Sequence, residues 1–183
     1  KLLEIANQTK TAIILRGAGT GTTGGASVTK PAIVLSLAKL DRLLEIDPIN
    51  RVATVQAGMI TGKFQKAVEE NGFFYPPDPA SLNICTLGGN VAENAGGPRA
   101  LKYGVTRDYV LGLEGFWANG TPFKLGGKLY KNVAGYDLMR LLIGSEGTLG
   151  LITSMTLKLL PLPSYTQDYL LGFSSISDAV SWL

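Results

Sequence analysis

The residues best suited to chemistry lie near the start of the chain. Arg16-Gly17-Ala18-Gly19-Thr20-Gly21-Thr22-Thr23-Gly24-Gly25 places five glycines in ten positions. Glycine admits positive φ and lets backbone approach a ligand, so successive N–H groups can turn into one concavity. Such a nest binds anions without a helix dipole. Arg16 adds a cation at its edge, and Thr20, Thr22 and Thr23 add hydroxyl donors. The other reading is a mobile loop between two strands. Gly19 to Gly24 also fits G-x-G-x-x-G, but the Rossmann form of that motif needs a helix directly after the loop and an acidic residue ending a second strand. Here the loop runs through ASVTKPA, containing Pro31, into a strand, and Asp41 sits in a turn. The Rossmann reading is rejected.

Two further clusters favour the nest: CTLGGNVAENAGG (85–97) and GSEGTLG (144–150). Three glycine loops in a compact domain suggest convergence on one extended ligand, and several phosphate contacts in apolar surroundings describe a dinucleotide. The chain has no histidine, so it lacks the commonest general base and the commonest transition-metal ligand. A Ser–His–Asp triad or a His-ligated metal within it is excluded, and no metal site is expected. Chemistry falls to other residues, a cofactor, or other parts of a longer protein.

The elements that must position these loops are legible in part. Residues 2–8 read as helix, 12–16 and 32–37 as strands, and 43–58 as two strands around Pro48-Ile49-Asn50. TGKFQKAVEENG (61–72) reads as a helix with Phe64, Ala67 and Val68 on one face, Thr61 as its cap and Gly72 at its end. Residues 73–97, dense in Pro, Gly and Asn, read as a loop built for shape. Residues 109–127 read as a hairpin with Asn119-Gly120 as the tight turn. A short helix within 135–147 and a strand at 148–163 follow, and the mixed order indicates α+β.

Of 183 residues, 45% are hydrophobic and 17% charged, which is globular composition. The net charge of +3 is scattered rather than clustered, so nucleic acid is not an expected partner, while an anionic ligand is mildly favoured. No apolar stretch reaches the roughly 18 residues of a membrane span. The single Cys85 allows no internal disulfide and fits a reducing compartment. Both ends read as cut: Lys1 stands where Met would, and SSISDAVSWL begins a helix that Ser177 would cap, with Ala179, Val180 and Leu183 as its apolar side.

The order RGAGTGTTGG, PPDPASLNICTLGGNVAENAGG and GYDLMRLLIGSEGTLGLIT resembles the FAD-binding domain of the vanillyl-alcohol oxidase/p-cresol methylhydroxylase superfamily. Within it the chain is similar to the flavin subunits of glycolate oxidase and to D-lactate and D-2-hydroxyacid dehydrogenases. The PPDPAS…GGNVAENAGG run resembles the main catalytic subunit of bacterial glycolate oxidase. GPRALKYGVTRDYVLG and LGGKLYKNVAGYDLMRLLIGS look more like its second flavin subunit. The resemblance implies a PCMH-type fold of two α+β subdomains with FAD between them. It places the FAD-binding domain at 1–163, and at 164–183 the first strand and helix of a substrate-binding cap.

By that resemblance Arg16, Gly17, Ala18, Gly19, Thr20, Gly21, Thr22, Thr23, Gly24 and Gly25 wrap the pyrophosphate. Pro77 and Asp78, then Thr86, Gly88, Gly89, Asn90, Asn94, Ala95, Gly96 and Gly97, line the flavin and ribityl region. Glu146, Gly147 and Ile152 lie toward the adenosine end. Asn90 and Asn94 are the candidates for direct side-chain hydrogen bonds; a turn residue holding its own backbone is the bland alternative for Asn94. Some members attach FAD through a histidine of the first loop. This chain has Thr20 near that position, so FAD is expected to be non-covalent, and Cys85 reads as a small buried apolar residue.

The implied function is oxidation of a small 2-hydroxyacid, of glycolate or D-lactate type, to the 2-oxoacid by hydride transfer to flavin N5. Its catalytic residues are unknown and expected in the cap, so this stretch alone should be inactive. Partners implied are the hydroxyacid and other subunits of a glycolate oxidase complex; the location implied is cytoplasmic, peripheral to the membrane where partner subunits hold it there. Two alternatives stand beside it: a non-catalytic FAD-binding electron-transfer subunit, and a plain nucleotide-binding module.

Overall fold

The structure is a computed structural model and describes residues 1–182. The chain runs α1 (Leu2–Thr9), β1 (Ala12–Arg16), β2 (Ala32–Ser36), β3 (Leu43–Asp47), β4 (Val52–Gln56), α2 (Thr61–Glu69) and β5 (Phe73–Phe74). It continues through α3 (Leu87–Glu93), α4 (Ala100–Tyr103), β6 (Val110–Trp117), β7 (Pro122–Gly126), α5 (Leu138–Leu142), β8 (Gly150–Lys158), β9 (Leu160–Pro161) and α6 (Ile176–Trp182).

Two lobes result. The apolar runs AIILR and AIVLS pair in parallel, Ala12 opposite Ala32 through Arg16 opposite Ser36. The glycine loop connects them, and no helix intervenes, in accord with the rejected Rossmann reading. The larger lobe is a five-stranded antiparallel sheet in the order β3-β4-β8-β6-β7. Alternation along β4 and β8 sends Val55, Met155 and Leu157 into the core. There they meet Phe64 and Val68 of α2, Leu87 and Val91 of α3, and Tyr75. Each such side chain, fully buried, contributes about 1.5–3 kcal/mol of transfer free energy. The α+β fold expected from the resemblance is the fold found.

Several local expectations are corrected. Helix α3 lies inside the stretch that reads as loop: Leu87 and Val91 are buried against the sheet, and Thr86 caps the helix by accepting the Gly89 N–H at 3.2 Å. The cap position of α2 is Ile60, without a side-chain bond, because the Thr61 hydroxyl is engaged elsewhere. Asn119 does not take positive φ. The Gly120 N–H closes a turn on the Trp117 carbonyl at 2.8 Å, and Gly120 alone is left-handed, at φ +88°, the pattern of a longer hairpin loop rather than a two-residue one. Ser177 lies within α6; the Asp178 N–H donates to Ser175 Oγ at 3.1 Å, so Ser175 holds that end. No strand forms between Gln167 and Phe173, and Leu183 lies outside the described residues.

Candidate functional site

A cleft of about 260 Å3 opens where the two lobes meet. That is below the ~300–1,000 Å3 of an enclosing pocket for a drug-sized ligand. One wall is the glycine loop. None of the backbone N–H groups from Gly17 to Gly25 donates to a protein acceptor among the described residues. Gly19 sits at φ +72°, and a Cβ there would stand 2.9 Å from an Arg16 guanidinium nitrogen, so the cation lies directly behind the loop. Unpaired backbone donors beside a cation are features suited to holding an anion.

The loop is tied down at its tip. Thr23 Oγ1 donates to Glu146 Oε2 at 3.0 Å and lies 3.4 Å from both oxygens of Glu93. Glu93 ends α3, and Glu146 belongs to the turn after α5, at φ +53°. That turn is bound to α3 by Gly144 N–H to Val91 O at 3.0 Å and Glu146 N–H to Ala92 O at 2.9 Å. All three quoted glycine clusters therefore reach the same cleft.

The opposite wall is the start of α3. The Gly88 N–H donates to the Ala57 carbonyl at 2.7 Å, docking the helix against the end of β4. Asn90 is 3% exposed, and its NH2 donates to Thr61 Oγ1 at 2.7 Å. Of the sequence-derived candidates, Arg16 through Thr22 and Gly25 line the cleft, as do Thr86, Gly88, Gly89 and Asn90. Ala95, Glu146, Gly147 and Ile152 line it as well.

The remaining candidates stand behind that wall. Thr23 acts as the tie just described, and Gly24, at φ +89°, turns the loop. The Pro77 carbonyl accepts from buried Gln65 Nε2 at 2.8 Å, and the same amide donates to the Tyr75 carbonyl at 2.9 Å. The Asp78 carboxylate accepts the Arg99 N–H at 3.1 Å and pairs with its guanidinium at 3.5 Å. Gly97 backs onto Asp78 so closely that a Cβ would overlap its carbonyl oxygen; Gly96 adjoins it. Asn94 is the left-handed C-cap of α3, and its Oδ1 accepts the Arg107 N–H at 2.9 Å. Asn94 does sit at a turn, but its side chain ties the backbone of a distant segment rather than its own.

Sequence reasoning missed Leu37, Ala57, Ser81 and Glu93 on the cleft wall. Glu93 and Ser81 lay within quoted motifs. Leu37 and Ala57 follow strand ends and carry no motif at all. Cys85 is 2% exposed, with its sulfur 3.4 Å from Thr61 Oγ1 and 4.0 Å from the Leu82 carbonyl, which fits the buried apolar role read from sequence. No group of acidic residues and cysteine suited to a metal ion occurs among the described residues.

A two-lobed α+β domain with unpaired backbone donors on a glycine loop at one side of its cleft and a side-chain amide at the other has the features of a domain that holds a dinucleotide. A family model described as an FAD binding domain matches residues 1–126. The chain belongs to that FAD-binding family, and its cofactor is FAD. It is 50% identical over 179 residues to glycolate oxidase subunit GlcD of Bacillus subtilis (strain 168), covering 98% of this chain and 38% of that protein. It is 43% identical over 180 residues to D-lactate dehydrogenase of Archaeoglobus fulgidus, covering 98% of this chain and 40% of that one. An alkyldihydroxyacetonephosphate synthase structure superposes with a TM-score of 0.78 at 26% identity, over 90% of this chain and 30% of its own. The chain thus spans about two fifths of the curated relatives it matches. The alignment with GlcD runs through both the stretch that resembles the catalytic subunit and the stretch that resembles the second.

Proposed function

We propose that this chain is the FAD-holding part of an oxidoreductase that converts a 2-hydroxyacid of glycolate or D-lactate type to the 2-oxoacid. The observation that carries the reading is the run of backbone N–H groups from Gly17 to Gly25 without protein acceptors, on the same cleft as Asn90 and Glu146. The two relatives described above bear the names of enzymes or subunits for 2-hydroxyacids.

In this reading Arg16 and the loop from Gly17 to Gly25 hold the pyrophosphate. Thr86, Gly88, Gly89, Asn90 and Ala95 face the ribityl and flavin part, with Pro77, Asp78, Asn94, Gly96 and Gly97 fixing the shape of the wall behind them. Glu146, Gly147 and Ile152 take the adenosine end. FAD, when bound, supplies the two-electron acceptor. The chain's own residues bind and orient it, and the groups that take the substrate's hydroxyl proton belong to the part of the relatives' length outside this span. Residues 164–183 would begin that part: Ile176, Val180 and Trp182 of α6 are exposed apolar side chains. Partners are the hydroxyacid and further subunits of a glycolate oxidase complex, and the location is cytoplasmic. No described helix is long and apolar enough to cross a membrane.

The test has two arms. The 183-residue chain, mixed with FAD and passed over a desalting column, is expected to retain flavin and quench its fluorescence; a colourless chain defeats the reading. The longer protein, assayed with glycolate or D-lactate and an artificial electron acceptor, is expected to turn over while the isolated chain does not. Equal turnover by the isolated chain would place the proton-accepting groups inside these residues.

A further inference from the structure

The buried contacts behind the cleft wall determine which end of the Asn90 amide meets the ligand. Thr61 is fully buried and Asn90 nearly so. A threonine hydroxyl has one proton and two lone pairs, and three neighbours stand ready for them. The Asn90 NH2 lies 2.7 Å from Thr61 Oγ1, the Cys85 thiol 3.4 Å from it, and the Cys85 carbonyl 3.4 Å from it. With the Thr61 proton on the Cys85 carbonyl, both lone pairs are met, one by the amide and one by the thiol. Turning the Asn90 amide over would aim its oxygen at Thr61. The hydroxyl proton would then leave the Cys85 carbonyl, and one contact of the three would be lost.

We infer that Thr61 is a positioning residue that turns the Asn90 carbonyl oxygen toward the cleft, making Asn90 a reader of hydrogen-bond donors on the flavin part of the ligand. The inference rests on the FAD reading above. Asn90 Oδ1 accepts no hydrogen bond from the described residues, although Asn90 lines the cleft. A carbonyl oxygen repels phosphate, whose oxygens are acceptors. It attracts the hydroxyls of a ribityl chain or the imide N–H of an isoalloxazine ring. The cleft is thereby polarised along its length, with backbone donors at the glycine loop for the phosphates and one acceptor at α3 for the donor-bearing end. A ligand with one anionic and one donor-rich part enters in a single direction.

The test is a double-mutant cycle on FAD affinity, read by flavin fluorescence, with Thr61→Val and Asn90→Ala. Each single change is expected to weaken FAD about tenfold, the worth of one ordinary hydrogen bond. The double variant should bind no more weakly than Asn90→Ala alone, because Thr61 acts through Asn90. Thr61→Ser, which keeps the hydroxyl, should stay within about twofold of the parent by the same hydrogen-bond accounting. Independent losses multiplying to about a hundredfold, or an unchanged Thr61→Val, would overturn the assignment. Two FAD analogues separate the sources of the donor: one methylated at the imide nitrogen, one lacking a ribityl hydroxyl. The analogue missing the recognised donor should lose affinity on the parent chain and not on Asn90→Ala; no loss with either overturns the inference. Failure of the parent chain to bind FAD at all would instead defeat the functional reading itself.

Discussion

Gly88 donates its N–H to the Ala57 carbonyl at 2.7 Å, and a Cβ added to Gly88 would stand 2.7 Å from the Ala57 methyl and 2.8 Å from that same carbonyl. The first turn of α3 therefore rests directly on the end of β4. Gly89, the next residue, meets only Thr86 Oγ1, at 3.2 Å, and faces the cleft. The two glycines predict opposite phenotypes. Gly88→Ala should destabilise the whole domain, by about 1–3 kcal/mol as for other overpacked sites, seen as a lower urea midpoint with or without FAD. Gly89→Val should leave the stability of the FAD-free chain within about 1 kcal/mol of the parent, the scale of helix propensity, and abolish flavin retention. Normal flavin content in Gly89→Val would remove that residue from the ligand's path.

Acid should release the flavin. The chain has no histidine to carry a covalent bond, and Cys85 lies beneath the wall, against Thr61 and Leu82. After acid precipitation of the yellow protein, FAD is expected in the supernatant. Flavin left in the pellet would show that Cys85 is reached after all.

Sequence patterning showed the fold wherever periodicity was strong, and failed where tertiary contacts override propensity. Helix α2 and the strands of the hairpin follow the 3.6- and 2-residue periods, with Phe64 and Val68 buried on one and Leu113 on the other. Helix α3 contains Gly88 and Gly89 in its first turn, each costing about 1 kcal/mol of helix propensity. It exists because Leu87 and Val91 are buried and Thr86 caps it, none of which a local pattern displays. The glycine loops were legible because close backbone approach demands a residue without a side chain. Leu37 and Ala57 were not, because they reach the cleft by following a strand end, a position compatible with many residue types. Thr61 looked like a cap from its place before an apolar run; only the fold reveals that Asn90, far along the chain, claims its hydroxyl.

The Tyr75 hydroxyl is buried without a hydrogen-bond partner among the described residues, and its ring packs edge-on against those of Phe64 and Tyr109. Burial pushes its ionisation well above the ordinary value of 10.0, with Tyr109 adding to the rise; the nearby Thr106 hydroxyl offsets it only in part, because its proton is donated to the Ala95 carbonyl at 2.7 Å rather than to Tyr75. Burial likewise raises Tyr109 to about 12. Neutral tyrosine is thus favoured in the folded state, so its contribution is complete below about pH 10 and is lost as pH rises through the raised values. Tyr75→Phe removes an orphaned polar atom and should stabilise the protein at pH 7 by about 1 kcal/mol. It should also flatten the fall in urea midpoint above pH 10. A loss of stability at neutral pH would mean that the hydroxyl has a partner, such as a buried water.

Lys128 spans the large sheet from beyond β7 to the opposite edge strand, with Nζ 2.6 Å from Glu45 Oε1 and 3.0 Å from Asp47 Oδ2. The Tyr130 hydroxyl follows it, donating toward the Asn50 and Arg51 carbonyls at 2.9 and 3.1 Å. Hydrogen bonds from Asn50, then Lys128, hold the Asp47 carboxyl well below its ordinary 3.8. A depressed carboxyl contributes stability above its unfolded value, and that contribution fades as pH falls from there through the folded value. Glu45, ahead of Asp47, raises Lys128 above 10.5, so the cation's contribution persists to that pH and fades as pH rises through the raised value. The staple should therefore act from about pH 4 to about pH 10, the ordinary ionisation ranges of its groups. Lys128→Met is expected to speed amide exchange across residues 128–134 at pH 7 and to lower the urea midpoint slightly, since exposed pairs contribute little. The gap in midpoint between parent and variant should narrow steadily below about pH 4. A gap that is the same at pH 3 and pH 7 would mean that Lys128 holds the crossing by packing its stem rather than by its charge.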